Sequence, residues 1–417
     1  MSRVAAIDCG TNSIRLLVAD YDGSRLHELT RRMEIVRLGA GVDRTGELAP
    51  EALARTFAAL RDYAAEIERL GATRVRMVAT SATRDARNRG ELVAGVRAIL
   101  GVAPEVISGD EEAALSFGGA IGDLVGGSGQ FGGPGQFGGP GPAGAPSQPG
   151  ASDRSDAFGQ PGPSGSPGPS DARGASGVGS GAPGPAGTSG QLGKIGLSGT
   201  GGVSSVATPI LLADIGGGST ELVFGDARGV RAARSVNVGC VRLAERHLRD
   251  DPPTPAQAAA IVADVHAALD LAAQTVPLTE AATLVGVAGT VTTVVALAAG
   301  LRRYDADRIH LSVTSAEQVA AVTERLLGMT HDERAALAVM HPGRVDVIAS
   351  GALVLRTLVE RTGAASVVAS ERDILDGIAL ALAITPPAVG SPAAGSAAVP
   401  PPPTAPSLPT VPGPAAG

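Results

Sequence analysis

The chain has 417 residues, with 34 Lys+Arg against 41 Asp+Glu, and its net charge of −7 leaves no basic field for general nucleic-acid binding. It contains 58 glycines and 30 prolines, and Gly, Pro, Ser and Ala dominate two segments, 125–209 and 386–417, where no periodic apolar positions exist to repay the entropy of ordering a core. The glycines keep no period of three, which excludes collagen, and the two cysteines, Cys9 and Cys240, make neither a disulfide framework nor a zinc spacing.

MSRVAAIDCG carries no long apolar run and no cleavage signal, so a cytoplasmic protein without a membrane anchor is expected. Residues 3–8, 14–20 and 33–38 read as strands. PEALARTFAALRDYAAEIERL, 50–70, is an amphipathic helix opening on Pro-Glu. VRMVATSATR, 75–84, reads as a strand running into a Thr/Ser-rich turn. A helix follows over 89–100, PEVISG is a short strand, and 111–120 starts another helix. Three early strands followed by alternating helix and strand describe an α/β domain over 1–124. Residues 125–209, with the near-repeat QFGGPGQFGGPGP, read as a disordered insertion. Lengthening a loop roughly eightfold costs only about 2 kcal/mol, provided that its ends lie near each other on the surface.

The second domain, 210–385, repeats the pattern. Strands are expected at 210–215, 220–225 and 230–238, then a helix at 241–249 and a long helix after the prolines at 252–255. A strand at 283–287 and a helix at 291–300 follow, then helices near 315–328, 331–339 and 344–361. VVAS, 367–370, is a late strand and DILDGIALALA a final helix, able to pack back on the first domain. The uncharged stretch 281–301 reads as strand, turn and helix start, not as a membrane span. Residues 386–417 form a Pro/Ala-rich tail expected to be disordered.

Two stretches match without a gap. AAIDCGTNSIRLLVADYDG, 5–23, lies over LLADIGGGSTELVFGDARG, 211–229, so that Asp8 meets Asp214, Gly10 meets Gly216 and Ser13 meets Ser219. One device, strand, Asp-x-Gly loop, strand, thus occurs twice. Gly, Ser and Asp are also ordinary turn residues, so two unrelated hairpins would share much of this composition. As a phosphate clamp, each loop brings backbone N–H groups to an anion with no Cβ in the way. Thr11, Asn12, Ser13, Ser219 and Thr220 add donors, and Asp8 and Asp214 could hold Mg²⁺. The only Gly-Lys pair, Gly193-Lys194, precedes Ile195, which excludes the lysine-type P-loop. In VISGDEEAALSF, 106–117, the helix dipole accounts for Glu111; the same residues leave Glu112 open between that role and catalysis. In ATSATRDARN, Arg84 becomes a candidate phosphate ligand only because two clamps stand beside it.

Together these stretches, with VGVAGTVTT, HPGRVDVIASGAL and SERDILDG, resemble the exopolyphosphatase/guanosine pentaphosphate phosphohydrolase (Ppx/GppA) family. The resemblance implies the actin-like ATPase superfamily fold: two ribonuclease-H-like α/β lobes with the active site in the cleft between them. It implies Glu112 as the catalytic residue. Asp214 and Glu221, with Asp8 as a further candidate, would serve the metal, Mg²⁺, and the attacking water. Arg84, Gly10, Thr11, Asn12, Ser13, Gly216, Gly217, Gly218 and Ser219 would hold phosphate. The implied activity is Mg²⁺-dependent hydrolysis of the terminal phosphate of inorganic polyphosphate. The alternatives are pppGpp 5′-phosphohydrolysis, a superfamily ATPase or kinase, and a non-catalytic (p)ppGpp or polyphosphate sensor. Some members are homodimers, and the sequence neither favours nor opposes a homodimer here. Three departures stand out: the 125–209 insertion, a tail in place of the helical HD-type domain of long members, and SERDILDG in place of SxxxLREG. The second implies a short form of low processivity; at the third no functional residue is expected.

Overall fold

The computed structural model describes residues 2–125 and 206–386; most of the insertion and nearly all of the tail lie outside the described residues. The first half runs β1 (Ser2–Cys9), β2 (Ser13–Tyr21), β3 (Leu26–Ile35), α1 (Val42–Thr45), α2 (Pro50–Leu70), β4 (Arg74–Ala79), α3 (Ser81–Asp85), α4 (Arg89–Leu100), β5 (Glu105–Val106) and α5 (Gly109–Leu124). The second runs β6 (Ile210–Ile215), β7 (Thr220–Asp226), β8 (Gly229–Val236), α6 (Cys240–His247), α7 (Pro255–Ala273), β9 (Thr283–Val287), α8 (Ala288–Ala298), α9 (Ala306–Ile309) and β10 (Val313–Ser315). It ends in α10 (Ala316–Gly328), α11 (His331–Ala335), a 3₁₀ turn (Pro342–Arg344), α12 (Ile348–Thr362), β11 (Ser366–Ala369) and α13 (Ile374–Ile384).

The sheets repeat one topology. The first has the order β3-β2-β1-β4-β5, with β1, β2 and β3 antiparallel and β4 and β5 parallel to β1. The second has the order β8-β7-β6-β9-β11, with the same pattern of directions and β10 added antiparallel at the edge. This is the ribonuclease-H-like order, present twice. Strand β6, ILLADI, is buried throughout because helices cover both faces of its sheet, hence its nearly unbroken apolar run.

The helices do not respect the two halves of the chain. One face of the first sheet packs on α2 through Leu53, Leu60, Tyr63 and Ile67. Its other face, with Val4, Ala6 and Leu17, is covered by Ile374, Leu375 and Ile378 of α13. Reciprocally, Ala113, Phe117 and Ile121 of α5 cover Ile210, Leu212, Val223 and Val285 of the second sheet. The boundaries 1–124 and 210–385 therefore divide the chain but not its cores. Where the exchanged helices cross, a Cβ on Gly119 would sit 1.9 Å from the Asp373 carbonyl oxygen, and one on Gly377 1.9 Å from that of Leu115. Only glycine permits this backbone contact.

Several elements differ from expectation. Strand β3 lies at Leu26–Ile35, not 33–38, and the expected turn after β4 is the short helix α3. The second lobe begins before 210: Val206 is buried, and its N–H donates to the Leu124 carbonyl at 2.8 Å. The two sides of the insertion thus meet. Helix α7 is the one described helix long and apolar enough to cross a membrane. It packs here through Ile261, Val265, Leu269 and Ala272, and its Asp264 pairs with Arg246 at 2.9 Å.

Candidate active site

Asp8 is the penultimate residue of β1 and Asp214 that of β6, and the loops that follow close with the same bond. Gly10 N–H donates to Ser13 O and Gly216 N–H to Ser219 O, each at 3.0 Å. Register extends the match. Asp8 stands opposite Arg15 across β1–β2, and Asp214 opposite Glu221 across β6–β7. Arg15 and Glu221 thus occupy equivalent places with opposite charge.

The two loops flank a cleft of about 110 Å³. Asp8, Gly10, Thr11, Asn12, Ser13, Glu112, Asp214, Gly216, Gly217 and Ser219 line it, as do Arg15 and Arg344. The carbonyls of Gly216 and Gly217 accept from the N–H groups of Cys240, Val241 and Arg242 at the start of α6. The N–H groups of Thr11, Asn12, Gly217 and Gly218 meet no backbone carbonyl among the described residues. Each loop thus keeps unpaired amide donors of the kind that an anion nest uses.

Three expected residues are placed elsewhere. Gly218 faces the other lobe: a Cβ there would lie 2.7 Å from both Thr11 Oγ1 and Ser81 Oγ. The last glycine thus lets the two loops touch. Arg84 Nη1 donates to Ile107 O at 2.9 Å and to Glu112 Oε2 at 3.2 Å, so Arg84 holds the glutamate and is not part of the cleft wall. Glu221 is buried behind the wall and accepts from Ser235 Oγ at 2.7 Å.

The paired glutamates of α5 separate by function. Glu111 closes a capping box with Ser108, its Oε2 accepting from Ser108 N–H at 2.8 Å. Glu112, one residue on, is 8% exposed and faces the cleft. Burial, opposed by Arg84 and reinforced by Asp214 and Asp8, pushes its carboxyl up to about 8. Burial and then Asp373 push Asp214 up to about 6, against the hydrogen bond from Ser116 Oγ at 2.6 Å. Burial, with Glu112 and Asp214 nearby, raises Glu221 as well. Burial also raises Asp8, against Arg15.

Sequence reasoning missed both arginines of the wall. Arg15 bonds Asp8 Oδ2 through Nε at 2.9 Å and Nη2 at 2.7 Å, and its Nη1 pairs with Asp373. Its position opposite Glu221 in the duplicated device was the available signal. Arg344 donates to Thr293 Oγ1 at 3.2 Å, and no carboxylate among the described residues pairs with it. Burial lowers its pKa. Its motif, HPGR, gave no clue to its distant neighbours.

The donor set fits Mg²⁺ on one observation in particular. Asp8 Oδ1 is buried and has no hydrogen-bond partner, while the neighbouring carboxylates repel one another. No group of three or more His, Cys, Asp and Glu residues among the described residues forms a cage for a metal ion. Mg²⁺ typically takes one or two carboxylates and completes its shell with water and substrate phosphate, so a cage is not required.

The Ppx/GppA phosphatase family model matches residues 17–131 and 196–383. Exopolyphosphatase 2 of Mycobacterium tuberculosis is 42% identical over 396 residues, 92% of this chain and 99% of that protein. Among solved structures, an exopolyphosphatase-like protein shares 36% identity at a TM-score of 0.68, covering 91% of this chain and 98% of its own. An exopolyphosphatase from Cytophaga hutchinsonii, 19% identical, has a TM-score of 0.64 over 90% of this chain and 96% of its own, and shows the shared fold. The family match takes in the second glycine loop, α5 and nearly all of α13 and spans most of the chain, and the protein belongs to the Ppx/GppA phosphatase family.

Proposed function

We propose that the protein is an exopolyphosphatase, a hydrolase that removes the terminal phosphate of inorganic polyphosphate. The observation that carries this reading is a buried carboxylate, Glu112, set in a cleft between two loops that offer amide donors. The loops hold the end of the chain, and Arg15 and Arg344 place positive charge on its oxygens. Glu112 orients a water in line with the terminal phosphorus and takes its proton as the bond to the shortened chain breaks. Once ionised, a carboxylate whose pKa is raised is the stronger proton acceptor, and Arg84 fixes its direction. Asp8, through Oδ1, and Asp214 would hold Mg²⁺, with Glu221 behind them. When bound, the ion would offset negative charge on the phosphoryl oxygens.

The terminal phosphate of pppGpp presents the same anhydride, and the same groups would serve it as an alternative substrate. The buried thiols of Cys9 and Cys240 suit a reducing compartment, and we place the enzyme in the cytoplasm. The test is phosphate release with Mg²⁺ from short polyphosphate, long polyphosphate, pppGpp and ATP. Release from polyphosphate exceeding that from ATP is the expected result. Release from ATP alone would refute the reading, and a dominant pppGpp rate would reassign the substrate.

A further inference from the structure

Helix α6 begins on the second glycine loop, and its polar face crosses to the other lobe. Arg242 Nε donates to the carbonyl of Gly218 at 2.8 Å. Its Nη2 donates to Asp85 at 2.6 Å and its Nη1 pairs with Asp43, both in the first lobe. One turn on, the Glu245 carboxylate accepts from Gly41 N–H at 3.0 Å, and Arg246 reaches Asp43 at 3.1 Å. Arg242 is 12% exposed, unlike the interlobe pair Arg37–Asp346, whose side chains are 45% and 44% exposed. Exposed pairs contribute little, whereas a nearly buried guanidinium shared by three acceptors fixes geometry.

Resting on the phosphohydrolase reading above, we propose that Arg242 is a positioning residue of the reaction. It ties Gly218 to Asp43 and Asp85 and so brings the two glycine loops into register only when the lobes are shut. The two loops line one cleft, so their register depends on how the lobes stand to each other. If the lobes part, Arg242 stays on Gly218, within its own lobe, and leaves the two aspartates. With the lobes as they stand, the fork holds Gly218 against Thr11 and Ser81, whose hydroxyls lie 2.9 Å apart. Asp85 follows Arg84, which holds Glu112, so the same fork sets the nest against the proton acceptor. The three acceptors meet three different guanidinium nitrogens, a spread that the single nitrogen of a lysine does not match.

The test compares wild type, Arg242→Gln, Arg242→Lys and Asp85→Asn. It measures phosphate release from short polyphosphate, and amide hydrogen exchange of residues 10–13 and 214–221 with Mg²⁺ and phosphate bound. Arg242→Gln should lower kcat by about 10²-fold, the loss that a misplacement of about 1 Å brings, with KM changed far less. Both loops should exchange about tenfold faster, while amides inside β1 and β6 keep their protection. Asp85→Asn, which leaves the bond to Gly218 intact, should show the same changes in weaker form, and Arg242→Lys should recover only part of kcat. Either readout staying at its wild-type level in Arg242→Gln would overturn the proposal. Wild type that releases no phosphate would instead remove the phosphohydrolase reading, and exchange would still decide whether Arg242 locks the loops.

Discussion

Glu111 and Glu112 are neighbours in the chain with opposite environments. Glu111 caps its own helix in solvent, and Glu112 is buried beside Asp214 and Asp8. The family resemblance singled out Glu112, whereas the residue pattern alone left it open, because the capping geometry and the cleft are both set by folding. The raised carboxylates carry a stability signature. Glu112 and Asp214 bind protons in the native state at pH values where the unfolded chain has released them, so their contribution is lost as pH rises through about 6 to 8. Without metal, the melting temperature should fall between about pH 5 and pH 8 from these groups. Mg²⁺ binds the deprotonated forms, so it should raise the melting temperature more at pH 8 than at pH 5. An equal Mg²⁺ shift at both pH values would contradict this account of the site. Arg344, half-buried in the cleft wall with no acidic partner among the described residues, should matter for binding. Arg344→Gln is expected to raise KM for polyphosphate by about tenfold or more, at about 1.5–3 kcal/mol for a hydrogen bond to a charged group, with kcat changed less. An unchanged KM would remove Arg344 from the substrate wall.

Strong local patterns made most elements legible. Helix α2 was readable from its apolar spacing and its opening proline, and in the structure Gly71 ends it with φ 70°. Strand β3 was not, because LHELTRRMEI is an edge strand whose alternating charges hide its pairing with β2. Helix α3 was hidden by SATRD, whose Ser and Thr favour turns until tertiary contacts bury Ser81, Ala82 and Thr83. The return of α13 to the first sheet was expected, whereas the reciprocal crossing of α5 to the second sheet was not, since its apolar face does not say which sheet it covers. Gly119 and Gly377 mark the crossing only once the backbones are seen together. Gly377→Ala should lower stability by about 1–3 kcal/mol, because the clashing atom is backbone and cannot rotate away. Urea unfolding measures this, and a change below about 0.5 kcal/mol would show that the helices are not so closely packed.

At the scale of the molecule, the duplicated Asp-Gly device foretold two lobes and a cleft, and the sheets repeat it strand for strand. Which side chains face one another across that cleft depended on contacts between residues hundreds of positions apart, such as Arg15 with Asp373. The insertion enters where Val206 N–H meets Leu124 O, so the lobes do not need it to close their sheets. Replacing residues 126–205 with a short Gly/Ser linker should preserve polyphosphate hydrolysis within about twofold and add up to about 2 kcal/mol of stability from the shorter loop. Loss of activity with the fold intact would give the insertion a role in catalysis.

The most direct test of the whole account is phosphate release from short polyphosphate by Glu112→Gln beside wild type, with substrate binding measured on both. The variant should bind as wild type does and turn over about 10²–10⁴-fold more slowly, as loss of a general base requires. A variant that releases phosphate at nearly the wild-type rate would contradict the central claim that the buried Glu112 carboxylate accepts the proton of the attacking water.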